Sequence, residues 1–310
     1  MTGAGSATTL AFGKEQEFLG SLVDEDSDGT PGYWAFGRNA TLTELDLDRQ
    51  LARLRDATSA EAVESIAGKI DGGVAVEAAV AAETHSHVHD IIFPGGTGFS
   101  PGRPPFSRVF TGVNHLDGSV DRELRGCIPL EYSVSFDEDT ETVTYSLILG
   151  YATEPDTPTS IDQADVTTPS TGSTAAFHGF TLTLDGADVT KLSTCELTIS
   201  NIARYHYGAS AEPVDATIAA PEAELSATAT FTSGSKDRLD LTYGGASATS
   251  IQDRMDSVSG SIDAQGPSGS IAAYTLPRVK LNDQSWENVI SEEDTTDSIT
   301  AHVNGGIEVQ

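Results

Sequence analysis

The sequence predicts a mostly β protein built as two tandem units, each with long hairpins and one short helix. Three observations carry that expectation. Apolar side chains recur at every second residue through much of the chain, stripes at helical spacing are few, and a Pro-, Thr- and Ser-rich stretch at the midpoint is flanked by short segments that recur in the same order. Alternation with a period of two marks a half-buried strand, because successive side chains leave a strand on opposite faces.

The first unit is read as residues 1–152. An acidic loop from Asp24 to Gly32 looks like an insertion relative to the second unit, and Leu47, Leu51 and Leu54 suit a helix stripe and a strand about equally. Glu83 to Ile91 is a candidate short helix. Gly95 to Pro105 reads as an extended loop, since its glycines accept positive φ and its prolines bar a regular ladder. Leu130, Tyr132, Val134 and Phe136 then alternate with polar residues, turn at Asp137 to Glu141, and resume as Val143, Tyr145, Leu147 and Leu149, which is a long hairpin.

Residues 153–174 bury almost nothing and carry Pro155, Pro158 and Pro169, so they read as a linker. The second unit, 175–310, repeats the alternation. Phe180, Leu182 and Leu184 lead into an Asp185-Gly186 turn expected to return as the strand Cys195, Leu197, Ile199; Leu225 to Phe231 and Ile299 to Val303 follow, with a candidate helix over Ser250 to Asp256. Shared anchors support a duplication: Ala11-Phe12 with Ala176-Phe177, Asp90 to Gly96 with Asp240 to Gly245, Ile128-Pro129 with Leu276-Pro277, and Glu138-Asp139-Thr140 with Glu293-Asp294-Thr295.

The 310 residues carry 17 Lys and Arg against 47 Asp and Glu, a formal charge of −30, while 38% are hydrophobic, enough for a core. Only five are Lys. This is the balance expected of a protein adapted to a salt-rich cytoplasm, where a Debye length of about 3 Å at 1 M salt screens neighbouring carboxylates. It argues against a nucleic-acid reader, which needs clustered cations. The opening MTGAGSATTLAFGKEQ has neither the cationic nor the apolar region of a signal peptide, so neither export nor a membrane anchor is expected. Cys127 and Cys195 read as small core residues.

Two clusters are candidate metal sites. His85, His87 and His89 would share one face if they lie on a strand, although a polar loop or exposed strand is the favoured reading. Asp24, Asp26 and Asp28 followed by Gly29 reproduce the first half of a calcium loop, but the twelfth position, where a bidentate Glu belongs, is Ala35. No GxSxG elbow, phosphate loop or dinucleotide fingerprint occurs. The expectation is therefore a non-enzyme with no cofactor.

Four segments carry a family resemblance: Phe12 to Gly20, Gly126-Cys127-Ile128-Pro129-Leu130, Val189 to Asn201, and Thr275-Leu276-Pro277-Arg278-Val279. In this order they resemble the tail tube proteins of long-tailed, siphovirus-like viruses, in a form of duplicated length, from a virus of a halophilic archaeon. The resemblance implies β-sandwich or half-barrel units whose bent sheets join into a barrel around a lumen. Six units close a ring, so three copies of a two-unit chain suffice, and rings stack into a conduit through which viral DNA passes without specific binding. It further implies contacts with tape measure, tail terminator and tail tip proteins, assembly in the host cytoplasm, a place in the virion tail and no membrane partner. The alternative is a secreted or virion-surface β-sandwich that binds or decorates. Residues 1–10, the hairpin arms and the 95–105 loop are expected to order on stacking.

Overall fold

The computed structural model describes residues 8–25, 27, 29–54, 64–66, 68–96, 98–115 and 118–309. The chain is mostly β, in agreement with the expected fold class. Its first half runs β1 (Thr8–Glu15), β2 (Tyr33–Trp34), β3 (Arg38–Asp48), β4 (Ala52–Leu54), β5 (Glu64–Ile66), β6 (Asp71–Ala79), α1 (Ala82–Asp90), β7 (Phe106–His115), β8 (Gly118–Asp137), β9 (Thr144–Tyr151) and β10 (Val166–Thr167). The second half runs β11 (Phe180–Leu184), β12 (Ala187–Asp188), β13 (Leu192–Ser200), β14 (Ala203–His206), β15 (Asp215–Ile218), β16 (Glu222–Thr230), α2 (Gly234–Tyr243), β17 (Val258–Gly266), β18 (Gly269–Glu287), β19 (Thr296–Asn304) and β20 (Glu308–Val309).

The pairing of the first half recurs in the second. β1 pairs β7, β7 pairs β8, β8 pairs β9, β9 pairs β6 and β6 pairs β3. In the same order β11 pairs β17, β17 pairs β18, β18 pairs β19, β19 pairs β16 and β16 pairs β13. A helix follows the fifth strand of each set, and a small hairpin, β4–β5 or β14–β15, lies between the same two neighbours. One ladder crosses between the halves: β8 takes β13 on its free edge, Val134 opposite Leu197, so strands of both halves share one sheet.

The alternation that predicted these strands is what builds the core. Tyr132, Val134 and Phe136 on β8 point inward with Leu147 and Leu149 on β9 and with Cys195, Leu197 and Ile199 on β13, all nearly or fully buried in one continuous apolar cluster. Each such aliphatic or aromatic side chain contributes about 2 kcal/mol through the water it releases. Both cysteines are free and buried.

β8 is twenty residues long and must bend to serve β7 with its first half and β9 and β13 with its second. The bend is at Gly126, where φ is +63° and an added Cβ would meet Leu19 at 2.8 Å, Phe18 at 3.0 Å and Ala152 at 3.1 Å. A left-handed backbone and a crowded Cβ position both require glycine. Gly126→Ala is therefore expected to cost about 2 kcal/mol, read as a lower urea midpoint with an unchanged denaturant slope; a change below a few tenths would show that the bend is not held there.

Several expectations are corrected. Residues 85–89 lie within α1, where Glu83 to Ile91 is the candidate helix, and not on the polar loop or exposed strand favoured for the histidines. The second helix is at 234–243, and Ser250 to Asp256 is irregular, with bends, held by Gln252 N–H on the Tyr243 carbonyl at 2.7 Å and Asp256 N–H on the Gly244 carbonyl at 2.8 Å. Across the Asp185-Gly186 turn β11 meets only the two-residue β12, because β13 is drawn to β8 and β16. Leu47 lies on β3 and Leu54 on β4, which resolves the helix-or-strand alternative as strand. Phe12 corresponds to Leu184 rather than Phe177, since each lies opposite the equivalent residue of the next strand, Val109 and Gly260.

The 153–174 stretch runs back along the first half. Thr153 bridges Arg125, Thr159 N–H donates to Glu123 at 2.8 Å, β10 lies parallel to β2, and Thr174 bridges Ala81. The 95–105 loop is tied within the chain as well: Phe99 packs on Phe93 at 5.1 Å between ring centres, and Gly102 accepts the Ile218 N–H at 2.8 Å. Residues 1–7 lie outside the described residues, and from Thr8 the chain is already β1.

Candidate assembly surface

The histidine cluster separates into two environments because α1 turns by about 100° per residue, which puts His85 and His89 on one face and His87 on the other. His85 and His89 are buried among aromatic rings from both halves. His89 Nε2 lies 3.0 Å and His85 Nε2 3.4 Å from the Tyr274 hydroxyl on β18, and Tyr132 on β8 meets that hydroxyl at 2.6 Å. Burial pushes His89 down to about 4 and His85 well below the ordinary imidazole value, so both are neutral at pH 7, and it pushes the Tyr132 hydroxyl well up. The two imidazoles meet edge to face at 4.4 Å between ring centres and share the Tyr274 hydroxyl, so the group works as a pin joining α1 to β18 of the other half.

His87 faces outward and stacks on Trp34 at 4.5 Å. Its Nδ1, with carboxylate oxygens of Glu25 and Asp90, forms a group in which the ligand atoms lie within 4.8 Å of one another. Lys14 already fills it: its ammonium is 2.5 Å from Glu25, 2.5 Å from Asp90 and 2.9 Å from His87 Nδ1, and lies over the Trp34 ring. A divalent ion would have to displace that cation. Asp24 instead closes a turn by accepting the Gly29 N–H at 2.9 Å, and Asp26 and Asp28 lie outside the described residues. Sequence spacing could not reveal the Lys14 cage, whose members come from β1, the following loop and α1.

A second polar cluster stiffens the first half. Arg108 on β7 contacts Glu15 at 3.1 Å and Glu123 at 2.8 Å, and Arg125 contacts Glu123 at 2.7 Å. Burial raises the Glu15 carboxyl despite Arg108, whereas at Glu123 burial is outweighed by hydrogen bonds from Arg125 and Thr159, which hold it low. These groups fix strands against one another and present nothing to a ligand.

What the fold does present is strand edge. β3 pairs β6 on one side only, and β18 beyond Leu281 pairs β19 on one side only, among the described residues. Exposed apolar side chains gather along both edges and at the adjoining hairpin tip: Leu47 is 51% exposed, Trp286 41%, Val289 60% and Ile290 99%. Unpaired edges carrying apolar side chains are templates for pairing with another chain. No helix among the described residues is long and apolar enough to cross a membrane.

No protein-family model and no curated protein matches the chain. Among solved structures, half of the chain is similar to nearly all (95%) of a chain in a cryo-EM structure of the anti-feeding prophage cap, described as a tube-terminating cap, with a TM-score of 0.30 and 12% identity. A likeness at that level decides neither fold nor function.

Proposed function

We propose that the chain is a structural, non-catalytic protein of a viral tail tube, and that copies of it join edge to edge into rings that stack. The observation that carries this reading is the repeated sheet unit with an unpaired edge in each half, together with the resemblance of the Phe12–Gly20, Gly126–Leu130, Val189–Asn201 and Thr275–Val279 segments to tube proteins. Contact between unlike edges is heterologous, so it closes into a ring when the rotation permits and propagates otherwise. With two units per chain, three copies would supply a six-unit ring around a lumen for DNA. The 47 carboxylates suit a conduit that releases no counterions to its cargo. Tape measure, terminator and tip proteins are the partners this role entails, in the virion tail of a virus whose archaeal host is salt-adapted.

Negative-stain electron microscopy of the purified chain at about 2 M KCl, with its mass measured in parallel, tests the proposal. Stacked rings of three copies are expected. A monodisperse monomer at every salt and protein concentration would overturn it and favour a decorating or binding β-sandwich.

A further inference from the structure

The repetition extends to the way units join. Past its bulge β8 carries β9 on one edge and β13 on the other. β18 matches β8 residue for residue there: the bulge falls between Pro129 and Glu131 in one and between Leu281 and Asp283 in the other, 152 positions on. β3 matches β13 in the same way. Leu197 lies opposite Leu225 and Leu45 opposite Val74; Leu225 and Val74 in turn face the equivalent residues Ala301 and Leu149, which makes Leu45 and Leu197 equivalents 152 positions apart. The β8–β13 joint inside the chain therefore has two unused counterparts, the open edges of β18 and β3.

We propose that a second copy of this chain adds its β3 antiparallel to the β18 edge in the register of the internal joint, and that ionic strength controls whether the joint closes. This rests on the self-assembly reading above and names its contact and its regulation. Transposing Val134 opposite Leu197 places Trp286 opposite Leu45; Tyr132 opposite Ile199 places Gln284 opposite Leu47; Ser133 opposite Thr198 places Ser285 opposite Asp46; Ser135 opposite Glu196 places Glu287 opposite Glu44. One face of the joint brings together the partly buried Leu45 with Leu47 and Trp286, covering two side chains now about half exposed, whereas the internal counterparts Val134, Leu197 and Ile199 are at most 1% exposed.

The other face distinguishes the two joints. Inside the chain Ser133, Ser135 and Asp137 meet Thr198, Glu196 and Thr194, with two carboxylates among the six, neither opposite the other. Between copies, Ser285 and Glu287 meet Asp46 and Glu44, three carboxylates among four with Glu287 directly opposite Glu44. Like charges directly opposite one another destabilise a strand pair. The repulsion reaches about 8 Å at physiological salt and about 3 Å at 1 M, so the internal joint holds in any buffer while the external one closes only in concentrated salt.

The test uses the full chain carrying Asp46→Cys or Ser285→Cys, mixed in equal amounts under mild oxidation. Opposed Cβ atoms lie about 5 Å apart, close to disulfide reach, and Cys127 and Cys195 are buried and silent. A disulfide-linked dimer is expected only in the mixture, at least about tenfold more abundant at 2 M than at 0.1 M KCl, and Glu44→Gln with Glu287→Gln should move the salt midpoint of association downward. Cross-linking of Asp46→Cys with itself would overturn the head-to-tail register. Rings without the mixed cross-link would overturn this joint and leave the tail reading standing; equal yields at both salts would overturn the salt control; a monomer at every salt would overturn joint and reading together.

Discussion

Replacing Arg238 with Met is expected to destabilise the protein by about 3–5 kcal/mol, the range for removing one partner of a buried ion pair. Arg238 on α2 and Asp297 on β19 are 7% and 1% exposed, with Nη2 2.6 Å and Nε 2.8 Å from the same carboxylate oxygen. The other oxygen accepts Gln284 Nε2 from β18 at 2.7 Å. Loss of the guanidinium leaves a buried carboxylate with one donor, so the cost is mainly the stranded charge. Arg238→Met combined with Asp297→Leu should recover much of the loss, because an apolar pair of similar volume needs no solvation. Urea unfolding of the two single variants and the double variant at fixed salt measures the cycle. A loss below about 1 kcal/mol in Arg238→Met would show that water reaches the pair and that α2 is held by packing alone.

Acidification from pH 6.5 to 5 is expected to remove about 3 kcal/mol of stability, shared about equally between His85 and His89. The sign follows from proton counts. Burial lowers both imidazoles in the folded state, His89 to about 4 and His85 well below its ordinary value, with neighbouring His89 adding to the effect at His85. The unfolded chain titrates them near 6.5 and so binds more protons throughout this window. Stability is therefore complete above about pH 6.5 and falls as the pH drops toward 4. His89→Gln, which retains a hydrogen-bonding group for Tyr274 and cannot be protonated, should halve the slope measured by urea unfolding at pH 7, 6 and 5. A flat profile across that range would mean that the imidazoles reach solvent and that the Tyr132–Tyr274 pin is open.

Strands were legible because the core is two-sided and regular: Tyr132 to Phe136 and Tyr145 to Leu149 alternate without a break, and the β8–β9 hairpin follows directly. α2 was not legible, because its buried face is polar. Ser235, Arg238 and Asp240 lie inward beside Leu241; Arg238 pairs with Asp297 on β19, the Ser235 carbonyl accepts from Gln284 on β18, and Asp240 pairs with Lys236 one turn back, so no apolar stripe marks the helix. The histidines misled for a related reason. Alternation at 85, 87 and 89 coincides with a strand period, yet Val88, Ile91 and Ile92 supply the helical spacing that packs α1 onto the core. Repetition was visible in the order of the anchors but not in their register. Ladder pairs place Leu147 and Ile299 as equivalents, 152 positions apart, whereas the turns between the strands differ in length and displace the anchors they contain.

Composition and short-range periodicity are enough for the β class, the acidic balance, the buried cysteines and the recurrence of like segments in both halves, because each is local. Which strands meet is settled only when the chain has folded. The tertiary structure set Lys14 among Glu25, His87 and Asp90, pinned α1 to β18 through Tyr274, and left one edge of β3 and one edge of the end of β18 unpaired among the described residues. The physical reason is that burial pattern specifies the face a strand turns toward the core but says little about its edge. Edges are satisfied by backbone groups that every residue carries alike, so their partners are chosen by the fold as a whole.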